Sequence, residues 1–505
     1  MYCKSVLDVL ENTASKYPDR LAFGDVSSDM TFKETIERSK LVGSYLTSYV
    51  KNGSPVAFYM EKSCQGVCGM FGAVYAGGFY SFIDVRQPAA RAESVVSVLE
   101  PAVIITDNTF AQQAHSLNVD VPILNIEEIL ATTSIDEAAL ARARAAARDI
   151  DPLYVNFTSG STGVPKGVTV CHRSVIEFIS YFTDIFKITC DDILGNQAPF
   201  DFDVSVKDIY SGIMTGAKVQ IIPREYFSSP MNLMDYIADK KTTVLVWAVS
   251  AMCFVSIMNG LEYRTPDTLR LIMFSGEVMP VKQLKKWQAS IPDATYVNLY
   301  GPTEITCNCT YHVLDRAYED SEVIPAGKPF PNEEVFLLDE EDKLIGTDTV
   351  GVTGEICVSG TSVVLGYYND PERTAAAFVQ NPLHNRYIDI IYRTGDLGKY
   401  DSDGNLIYVS RKDFQIKHLG HRIELGEIET AAMAQDGVSR ACCIYDFNKK
   451  RIIMFYTGDA DKKQLTGALK EVLPPFMIPN SFKPIEDMPL NKNGKIDRKA
   501  LEKLM

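Results

Sequence analysis

The sequence predicts an α/β fold with a large N-terminal domain of parallel-rich sheets and helices, a β-rich subdomain, and a small mobile α+β C-terminal domain. Short apolar segments alternate with helical segments through residues 55–299, which is typical of parallel sheets covered by helices. The 505 residues are enough for about three structural units. With 46% hydrophobic and 23% charged residues, the composition is that of a folded globular chain and excludes a disordered or fibrous one.

The apolar segments predict the strands of the first domain. Residues 63–83 carry no charge and are long enough to cross a membrane, but glycines interrupt them, so we predict a buried helix that ends at Gly77 and Gly78 before a strand. The Ala-rich segment 134–148 predicts a surface helix or linker. The predicted strands cover residues 55–59, 79–83, 102–106, 121–125, 244–247, 271–274 and 295–299.

The pattern changes near residue 330. Short strands with turn signals such as Asp403-Gly404 predict a β-rich subdomain over about residues 330–410, and helices and strands return afterwards. We therefore expect residues 1–410 to form the main domain and residues 411–505 to form a small C-terminal lid. Ligands of parallel sheets bind at the carboxyl ends of the strands, so we expect the site there.

Charge and cysteine usage limit the classes of function. Fifty Lys and Arg against 65 Asp and Glu give a net charge of -15, which disfavours broad binding of nucleic acid or anionic membranes. The cysteines form no CxxC pair and the chain has only six histidines, so we expect reduced thiols and no structural zinc. The N-terminus lacks a basic segment followed by a long apolar one, and we expect a cytoplasmic protein without membrane insertion.

The most informative segment is a strand that runs into a turn of hydroxyls and glycines. Residues 158–167 read TSGSTGVPKG, where backbone N–H groups can approach phosphate oxygens and Lys166 adds a cation. The spacing is not that of a Walker A loop, which excludes the common P-loop hydrolases. The phosphate-binding residues predicted here are Thr158, Ser159, Gly160, Ser161, Thr162 and Lys166.

Eight further blocks carry a resemblance to a family. They cover residues 77–84, 202–205, 298–304, 354–355, 392–397, 411–424, 473–479 and 493–498. Over its whole length the chain resembles the adenylate-forming enzymes, a superfamily of acyl-CoA synthetases, luciferases, nonribosomal peptide synthetase adenylation domains and D-alanyl carrier protein ligases. It is most similar to stand-alone amino-acid adenylation enzymes and to D-alanyl carrier protein ligases. Phe82 stands where the family usually has Pro, and Ser410 stands where it usually has Gly.

The resemblance implies an ATP site. Tyr300 is expected to stack on adenine, Asn298 to contact the adenine edge, and Thr303 to bind the α-phosphate. Glu304 is expected to hold Mg²⁺, because Mg²⁺ near phosphates takes one or two carboxylates. Besides the phosphate-binding turn, the residues expected to contact ATP and AMP are Asn298, Tyr300, Gly301, Asp396 and Arg411. Of these, Asp396 and Arg411 are expected to contact the ribose.

The resemblance also implies the reaction, with ATP and Mg²⁺ as cofactors. The attacking carboxylate is already ionised at neutral pH, so positioning and charge neutralisation suffice. Lys495 is expected to stabilise the transition state, together with Thr303 and Glu304. Rotation of the lid about a hinge at Asp413 is expected to withdraw Lys495 and to bring residues 420–424 to the site for transfer of the acyl group to a thiol.

Asp203 indicates the substrate class. In amino-acid-activating members an aspartate here pairs with the substrate α-ammonium, which plain carboxylic acids lack. Lys207 either turns outward or pairs with Asp208, or it meets an acidic or carboxamide side chain of the substrate. The pocket is expected to be small and to suit an amino acid such as Ser or Ala. Aligned by spacing, its residues are Asp203, Val204, Lys207, Trp247, Met273, Ser275, Leu299, Cys307 and Asn308.

The leading hypothesis is an AMP-forming ligase of carbon–sulfur bonds. It predicts ATP-dependent adenylation of an amino acid, which yields aminoacyl-AMP and pyrophosphate, followed by thioester transfer to the phosphopantetheine arm of a carrier protein. Only seven residues follow Arg498, so we expect the carrier on a separate protein.

Three alternatives stay open. They are a D-alanine–D-alanyl carrier protein ligase of teichoic acid modification, an acyl-CoA ligase for a small carboxylic acid, and an inactive nucleotide-binding protein. Asp203 argues against the acyl-CoA ligase. The retained Glu304, Asp396 and Lys495 argue against the inactive protein.

Overall fold

The structure is a computed structural model that describes residues 3–132, 134–159, 164–412, 415–447, 449–490 and 496–505. The strands are β1 (Leu21–Gly24), β2 (Asp29–Thr31), β3 (Pro55–Tyr59), β4 (Phe79–Phe82), β5 (Val103–Thr106), β6 (Ile123–Asn125), β7 (Pro152–Thr158), β8 (Lys166–Cys171), β9 (Ile193–Asn196), β10 (Lys218–Ile221), β11 (Val244–Ala248), β12 (Leu271–Ser275), β13 (Thr295–Tyr300), β14 (Thr310–Val313), β15 (Lys328–Pro329), β16 (Glu333–Leu338), β17 (Leu344–Ile345), β18 (Gly354–Gly360), β19 (Gly366–Tyr367), β20 (Phe378–Gln380), β21 (Ile390–Tyr400), β22 (Leu406–Arg411), β23 (Gln415–His418), β24 (His421–Glu424), β25 (Arg440–Asp446), β26 (Arg451–Thr457) and β27 (Ser481–Pro484).

The α-helices are α1 (Val6–Lys16), α2 (Phe32–Leu46), α3 (Cys64–Tyr75), α4 (Ala89–Leu99), α5 (Ala111–His115), α6 (Ile126–Thr132), α7 (Glu137–Ala146), α8 (His172–Ile185), α9 (Val204–Thr215), α10 (Pro230–Asp239), α11 (Val249–Ile257), α12 (Gly260–Tyr263), α13 (Val281–Ser290), α14 (Pro371–Ala377), α15 (Leu425–Met433), α16 (Lys462–Val472) and α17 (Arg498–Glu502). Short 3-10 helices cover Arg224–Ser228, Thr303–Ile305 and Pro475–Met477.

Three large sheets form the main body of the protein. A nine-stranded sheet has the order β15-β14-β13-β12-β11-β9-β10-β1-β2 and is parallel from β13 to β1. A seven-stranded sheet has the order β19-β8-β7-β4-β3-β5-β6 and is parallel from β7 to β6. The third sheet, β17-β16-β18-β21-β20 with β22 paired to β21, is antiparallel. The predicted α/β fold with a β-rich subdomain is therefore confirmed.

The uncharged segment 63–83 forms a buried helix and a strand, as predicted. The N–H of Gly66 donates to Ser63 Oγ at 3.1 Å at the start of α3. This helix packs so closely on α2 that a Cβ on Gly72 would lie 2.6 Å from Val42 Cβ, which explains a glycine inside a helix. Within the described residues, no helix is both long enough and apolar enough to cross a membrane.

The hydrophobic cores follow the sheets. The two parallel-rich sheets share one core, to which Phe58 and Val246 contribute from different sheets. A second core lies on the other face of the nine-stranded sheet and contains Trp247 and Trp287. A separate core near the C-terminus is built from residues 416–482 and joins α15 and α16 to the sheet β25-β26-β27.

The hairpin β23-β24 connects the C-terminal region to the parallel sheets. It turns at Leu419 and Gly420, which have φ of +54° and +81°. At this turn the N–H of Gly420 donates to Glu277 Oε1 at 2.7 Å. The hairpin thus reaches the edge where β7, β12 and β13 end, which is the edge at which ligands of parallel sheets bind.

Candidate functional site

A cavity of about 130 Å³ lies between the carboxyl ends of the parallel strands and the C-terminal hairpin. Several of its lining residues lie at the end of a strand or at the start of a helix, which brings well-separated parts of the chain together, whereas Asp396 lies within β21. The predicted site residues that line it are Thr158, Ser159, Asp203, Val204, Ser275, Gly301, Thr303, Cys307, Asn308, Asp396 and Arg411.

Asp203 lies immediately before α9 and faces this cavity. An aspartate at this position commonly caps the helix with its side chain, but Asp203 makes no such capping bond. Burial raises the pKa of its carboxyl group, and a hydrogen bond from Thr303 works in the opposite direction. The carboxylate is therefore available to a cationic group inside the cavity.

Asp396, which is 1% exposed, also lines the cavity. Its Oδ1 accepts from Arg411 at 2.8 Å, and its Oδ2 accepts from the Tyr300 hydroxyl at 2.6 Å. Each carboxylate oxygen has a further lone pair, so Asp396 can still accept hydrogen bonds from a diol. Arg411 also donates to the Thr394 carbonyl at 2.7 Å, which fixes the orientation of its guanidinium.

Tyr300 and Asn298 line a second, larger cavity of about 600 Å³. The Asn298 amide nitrogen donates to the Pro325 carbonyl at 2.7 Å, so its oxygen is the atom left for a ligand. The two cavities have four lining residues in common, namely Gly276, Arg411, Gln415 and Lys417. The two cavities therefore lie next to each other.

Glu304 is completely buried and surrounded by donors. Arg422 donates to Oε2 at 2.6 Å, the Tyr367 hydroxyl donates to Oε1 at 2.8 Å, and Lys166 Nζ lies 3.7 Å from Oε1. Burial by itself raises the pKa of Glu304, but Arg422 and Lys166 outweigh it and lower that pKa to about 2. Because cations and a hydroxyl occupy both oxygens, the predicted Mg²⁺ does not fit Glu304 in this arrangement. Within the described residues, no group of three or more His, Cys, Asp or Glu side chains is placed to hold a metal.

Lys166 lies in the same cluster and is only 8% exposed. Burial, followed by the nearby Arg422, lowers the pKa of Lys166 to about 8. Ser159 connects the turn to the hairpin: its hydroxyl donates to the Arg422 carbonyl at 2.7 Å and accepts from the Glu424 N–H at 3.1 Å. The turn and the hairpin therefore contact each other directly through hydrogen bonds.

Thr158 leaves a polar atom for a ligand. Its Oγ1 is buried and has no hydrogen-bond partner among the described residues. An unpartnered buried hydroxyl is costly unless a ligand or water satisfies it. Five predicted site residues lie outside the described residues, namely Gly160, Ser161, Thr162, Asp413 and Lys495.

The predicted substrate pocket needs one correction. Met273 and Ser275 share a face of β12, and Val246 and Leu299 lie on that same face of the nine-stranded sheet. Trp247 points to the opposite face, where its Nε1 donates to the Gly195 carbonyl at 2.9 Å. A shift of one residue along a strand moves a side chain to the other face, so Trp247 is not a wall of this pocket.

Lys207 is completely buried on α9, so the expected outward orientation is wrong. Its ammonium donates to Asn308 Oδ1 at 2.7 Å and lies 3.5 Å from Ser275 Oγ. Asp208, the other suggested partner, instead accepts from the Asn196 amide at 2.9 Å. Lys207 therefore contacts the pocket residues themselves.

The hairpin contributes residues to which the sequence assigned no role. Lys417 Nζ lies 5.7 Å from the centre of the Tyr300 ring, and burial lowers the pKa of Lys417 although Asp396 opposes this shift. In β23, Gln415 and Lys417 alternate with Ile416, which packs in the C-terminal core. This period-two pattern was the available signal that both polar side chains face one surface.

The chain is similar to known proteins over nearly its whole length. The family profile for AMP-binding enzymes matches residues 10–368, and the profile for the AMP-binding enzyme C-terminal domain matches residues 427–495. Tyrocidine synthase 1 of Brevibacillus parabrevis is 29% identical over 507 residues, which cover 99% of this chain and 45% of that protein. The chain spans less than half the length of the curated relatives that it matches.

Two solved structures show the same fold. The adenylation domain AlmE of Vibrio cholerae, in complex with glycyl-adenosine-5'-phosphate, has a TM-score of 0.86 and 22% identity, covering 100% of this chain and 98% of that one. Holo-PA1221, an NRPS protein that contains adenylation and PCP domains, has a TM-score of 0.86 and 24% identity, covering 99% of this chain and 84% of that one.

Proposed function

Because the chain belongs to the AMP-binding enzyme family, we propose that it joins an amino acid to AMP and then transfers the aminoacyl group to the phosphopantetheine thiol of a carrier protein. ATP supplies the AMP, and pyrophosphate leaves. One observation supports this most strongly: a single cavity is lined both by Asp203 and by the Asp396–Arg411 pair. Asp203 suits an ammonium group and the pair suits a ribose.

In the first step, an oxygen of the substrate carboxylate attacks the α-phosphorus of ATP, and the bond from that phosphorus to pyrophosphate breaks. The carboxylate is ionised at neutral pH, so no side chain has to remove a proton. Asp203 pairs with the α-ammonium and holds the adjacent carboxylate near Thr303, which is hydrogen bonded to Asp203. The rate gain in this step comes from positioning and from cations that neutralise charge on the phosphates.

In the second step, the thiol gives its proton to solvent, its sulfur attacks the carbonyl carbon of the adenylate, the bond from that carbon to the AMP oxygen breaks, and a thioester forms as AMP leaves. The contacts of the hairpin suit this step. Residues 420–424 lie against the site through the Gly420–Glu277 hydrogen bond and the Arg422–Glu304 ion pair. Lys495 is proposed for the first step and residues 420–424 for the second, so the C-terminal region has to move between the two steps.

The proposal includes the division of the chain at residues 410 and 411, with a hinge at Asp413 and with Lys495 as a cation of the first step. Two relatives support the two halves of the reaction. AlmE was solved with a glycyl-adenylate, and holo-PA1221 carries a PCP domain next to its adenylation domain.

The test is ATP–pyrophosphate exchange with a panel of L- and D-amino acids, fatty acids and aryl acids. We expect exchange with one or a few amino acids and none with acids that lack an α-ammonium. Asp203→Asn should lower this exchange by at least about 100-fold, because it removes a charge-assisted contact in a desolvated site. Asp184→Asn is the matched control, since that side chain is 81% exposed and far from the cavity.

Transfer is tested separately with an added carrier protein. The phosphopantetheinylated carrier should gain the mass of one aminoacyl group in the presence of ATP and the amino acid, whereas the carrier without its arm should not. Exchange with plain carboxylic acids but with no amino acid would refute the proposal. Pyrophosphate exchange without aminoacyl loading of the carrier protein would refute the proposed transfer step.

A further inference from the structure

The side chain of Asn308 has a fixed orientation at the end of the cavity. Lys207 Nζ lies 2.7 Å from Asn308 Oδ1, and a lysine ammonium can only donate. The amide atom that faces Lys207 must therefore be the oxygen. Cys307 Sγ lies 3.5 Å from the same oxygen and reinforces this choice.

The amide nitrogen of Asn308 is consequently left for the cavity. Asn308 lines the cavity, and among the described residues no hydrogen-bond partner is seen for its Nδ2. The hydroxyl of Ser275 also leaves a donor for the cavity. Its Oγ lies 3.5 Å from Lys207 Nζ, so it accepts from lysine and its own hydrogen can point into the cavity that Ser275 lines.

The electrostatic surroundings favour the same kind of group. Asn308, Ser275 and Cys307 contact Lys207 and are neutral, and the positive charge of the lysine lies next to them. Asp203 is a nearby carboxyl group, and in the proposed function the substrate α-ammonium compensates its charge. Burial raises the pKa of Asp208 to about 7, which weakens that carboxyl group as a counter-charge. An oxygen acceptor placed against Asn308 and Ser275 would be stabilised by both donors and by this charge.

We propose that Lys207 is a positioning residue which turns Asn308 so that the pocket accepts an amino acid whose short side chain ends in an oxygen acceptor. Serine, asparagine and aspartate belong to this class, and alanine does not. This inference rests on the proposed function and names the substrate class for it.

The test compares kcat/KM of pyrophosphate exchange for serine, asparagine and aspartate with kcat/KM for alanine and 2-aminobutyrate, whose side chains have no oxygen. Of these two, 2-aminobutyrate matches serine in size. The kcat/KM of the best acceptor substrate should exceed that of both apolar substrates by at least about tenfold, because an apolar side chain leaves buried donors unsatisfied. Lys207→Met should reduce this ratio by about tenfold, since the freed amide can then turn. Asn308→Asp should reduce it as well, by replacing the donor with an acceptor.

The ratio of two substrates separates positioning from general damage to the fold. Lys62→Met is the matched control, because Lys62 is another largely enclosed lysine, which donates to the Gln197 carbonyl at 2.7 Å and does not line this cavity. It should leave the ratio unchanged. Equal use of alanine and the best acceptor substrate, or an unchanged ratio in both pocket variants, would overturn the inference while exchange itself upholds the proposed function. Absence of exchange with every amino acid would instead refute the proposed function.

Discussion

The guanidinium of Arg422 donates to the carboxylate of Glu304 at 2.6 Å, although the two residues are 118 positions apart in the chain. Arg422 belongs to the hairpin strand β24, and Glu304 lies in the 3-10 helix that follows β13. The pair is buried and lies at the end of the site where phosphates are expected. It holds the hairpin in a position where Arg422 and Lys166 already neutralise Glu304 and leave no place for a metal cation.

Replacing Arg422 with Met should impair the second step more than the first. The variant removes one partner of a buried ion pair, which typically costs about 3–5 kcal/mol, and the docked hairpin loses that stabilisation. We expect loading of the carrier from a supplied aminoacyl-adenylate to fall by more than about tenfold, with a much smaller change in pyrophosphate exchange.

Arg422→Lys is the matched variant, because it keeps the charge without the fork of donors and should restore part of the loading rate. An equal loss of exchange and loading in Arg422→Met would contradict a role confined to the transfer arrangement.

Lys495→Ala should have the reverse effect. In the proposed first step Lys495 neutralises charge near the transferred phosphate, and loss of such a cation typically lowers the rate by about 100-fold or more. We expect pyrophosphate exchange to be lost and loading from a supplied aminoacyl-adenylate to be retained. Lys499→Ala, at an exposed position four residues later, is the control and should leave both rates unchanged. If Lys495→Ala loses both steps equally, the proposal that Lys495 and the hairpin occupy the site in turn is wrong.

Much of the fold could be predicted because strand signals are local. The apolar segment 55–59 is β3 without any change of boundary, and segments 244–247 and 271–274 are each one residue shorter than β11 and β12. The glycines of α3 correctly distinguished a buried helix from a membrane span, since they mark close packing on α2. These features depend on periodicity and on residue size, which are visible in sequence.

The candidate site was less predictable because its geometry depends on distant contacts. The prediction that Trp247 lines the substrate pocket was wrong by one residue along β11. Spacing alone cannot show which face a side chain takes when a buried strand has apolar residues on both sides. The burial of Lys207 depends on Asn308, which lies 101 positions away. No local pattern indicates that Arg422 would pair with Glu304. Such pairs arise only when separate elements dock.

A second buried ion pair joins the C-terminal region to the main body, between Arg91 on α4 and Glu427 on α15. Arg91→Met leaves Glu427 buried without this guanidinium and should destabilise the protein by about 3 kcal/mol. The double variant Arg91→Met with Glu427→Gln should recover part of that loss, because the buried charge is removed as well. Urea unfolding of the two single variants and the double variant measures this. Additive losses would show that the two side chains do not interact.

The stability of the docked hairpin should also depend on pH through His421. Its ring stacks on Phe476 with centroids 3.6 Å apart and meets the edge of Phe202 at 4.9 Å. Burial, assisted by Arg224, lowers the pKa of His421 to about 3 against a weaker opposing effect of Asp84.

The folded protein therefore keeps His421 neutral down to about pH 3, whereas the unfolded chain binds a proton near pH 6.5. The unfolded state binds more protons between these values, so this contribution to stability is intact above pH 6.5 and is lost as the pH falls towards 3, by up to about 1.4 kcal/mol per pH unit.

His421→Phe keeps an aromatic ring without a titratable group, so its unfolding free energy should fall less steeply than that of the wild type between about pH 7 and about pH 5. Urea unfolding at several pH values gives both slopes, and their difference cancels the carboxyl groups common to both proteins. His115→Gln, at an exposed position, should have the wild-type slope. Identical slopes for His421→Phe and the wild type would mean that His421 is already able to take up a proton in the folded protein.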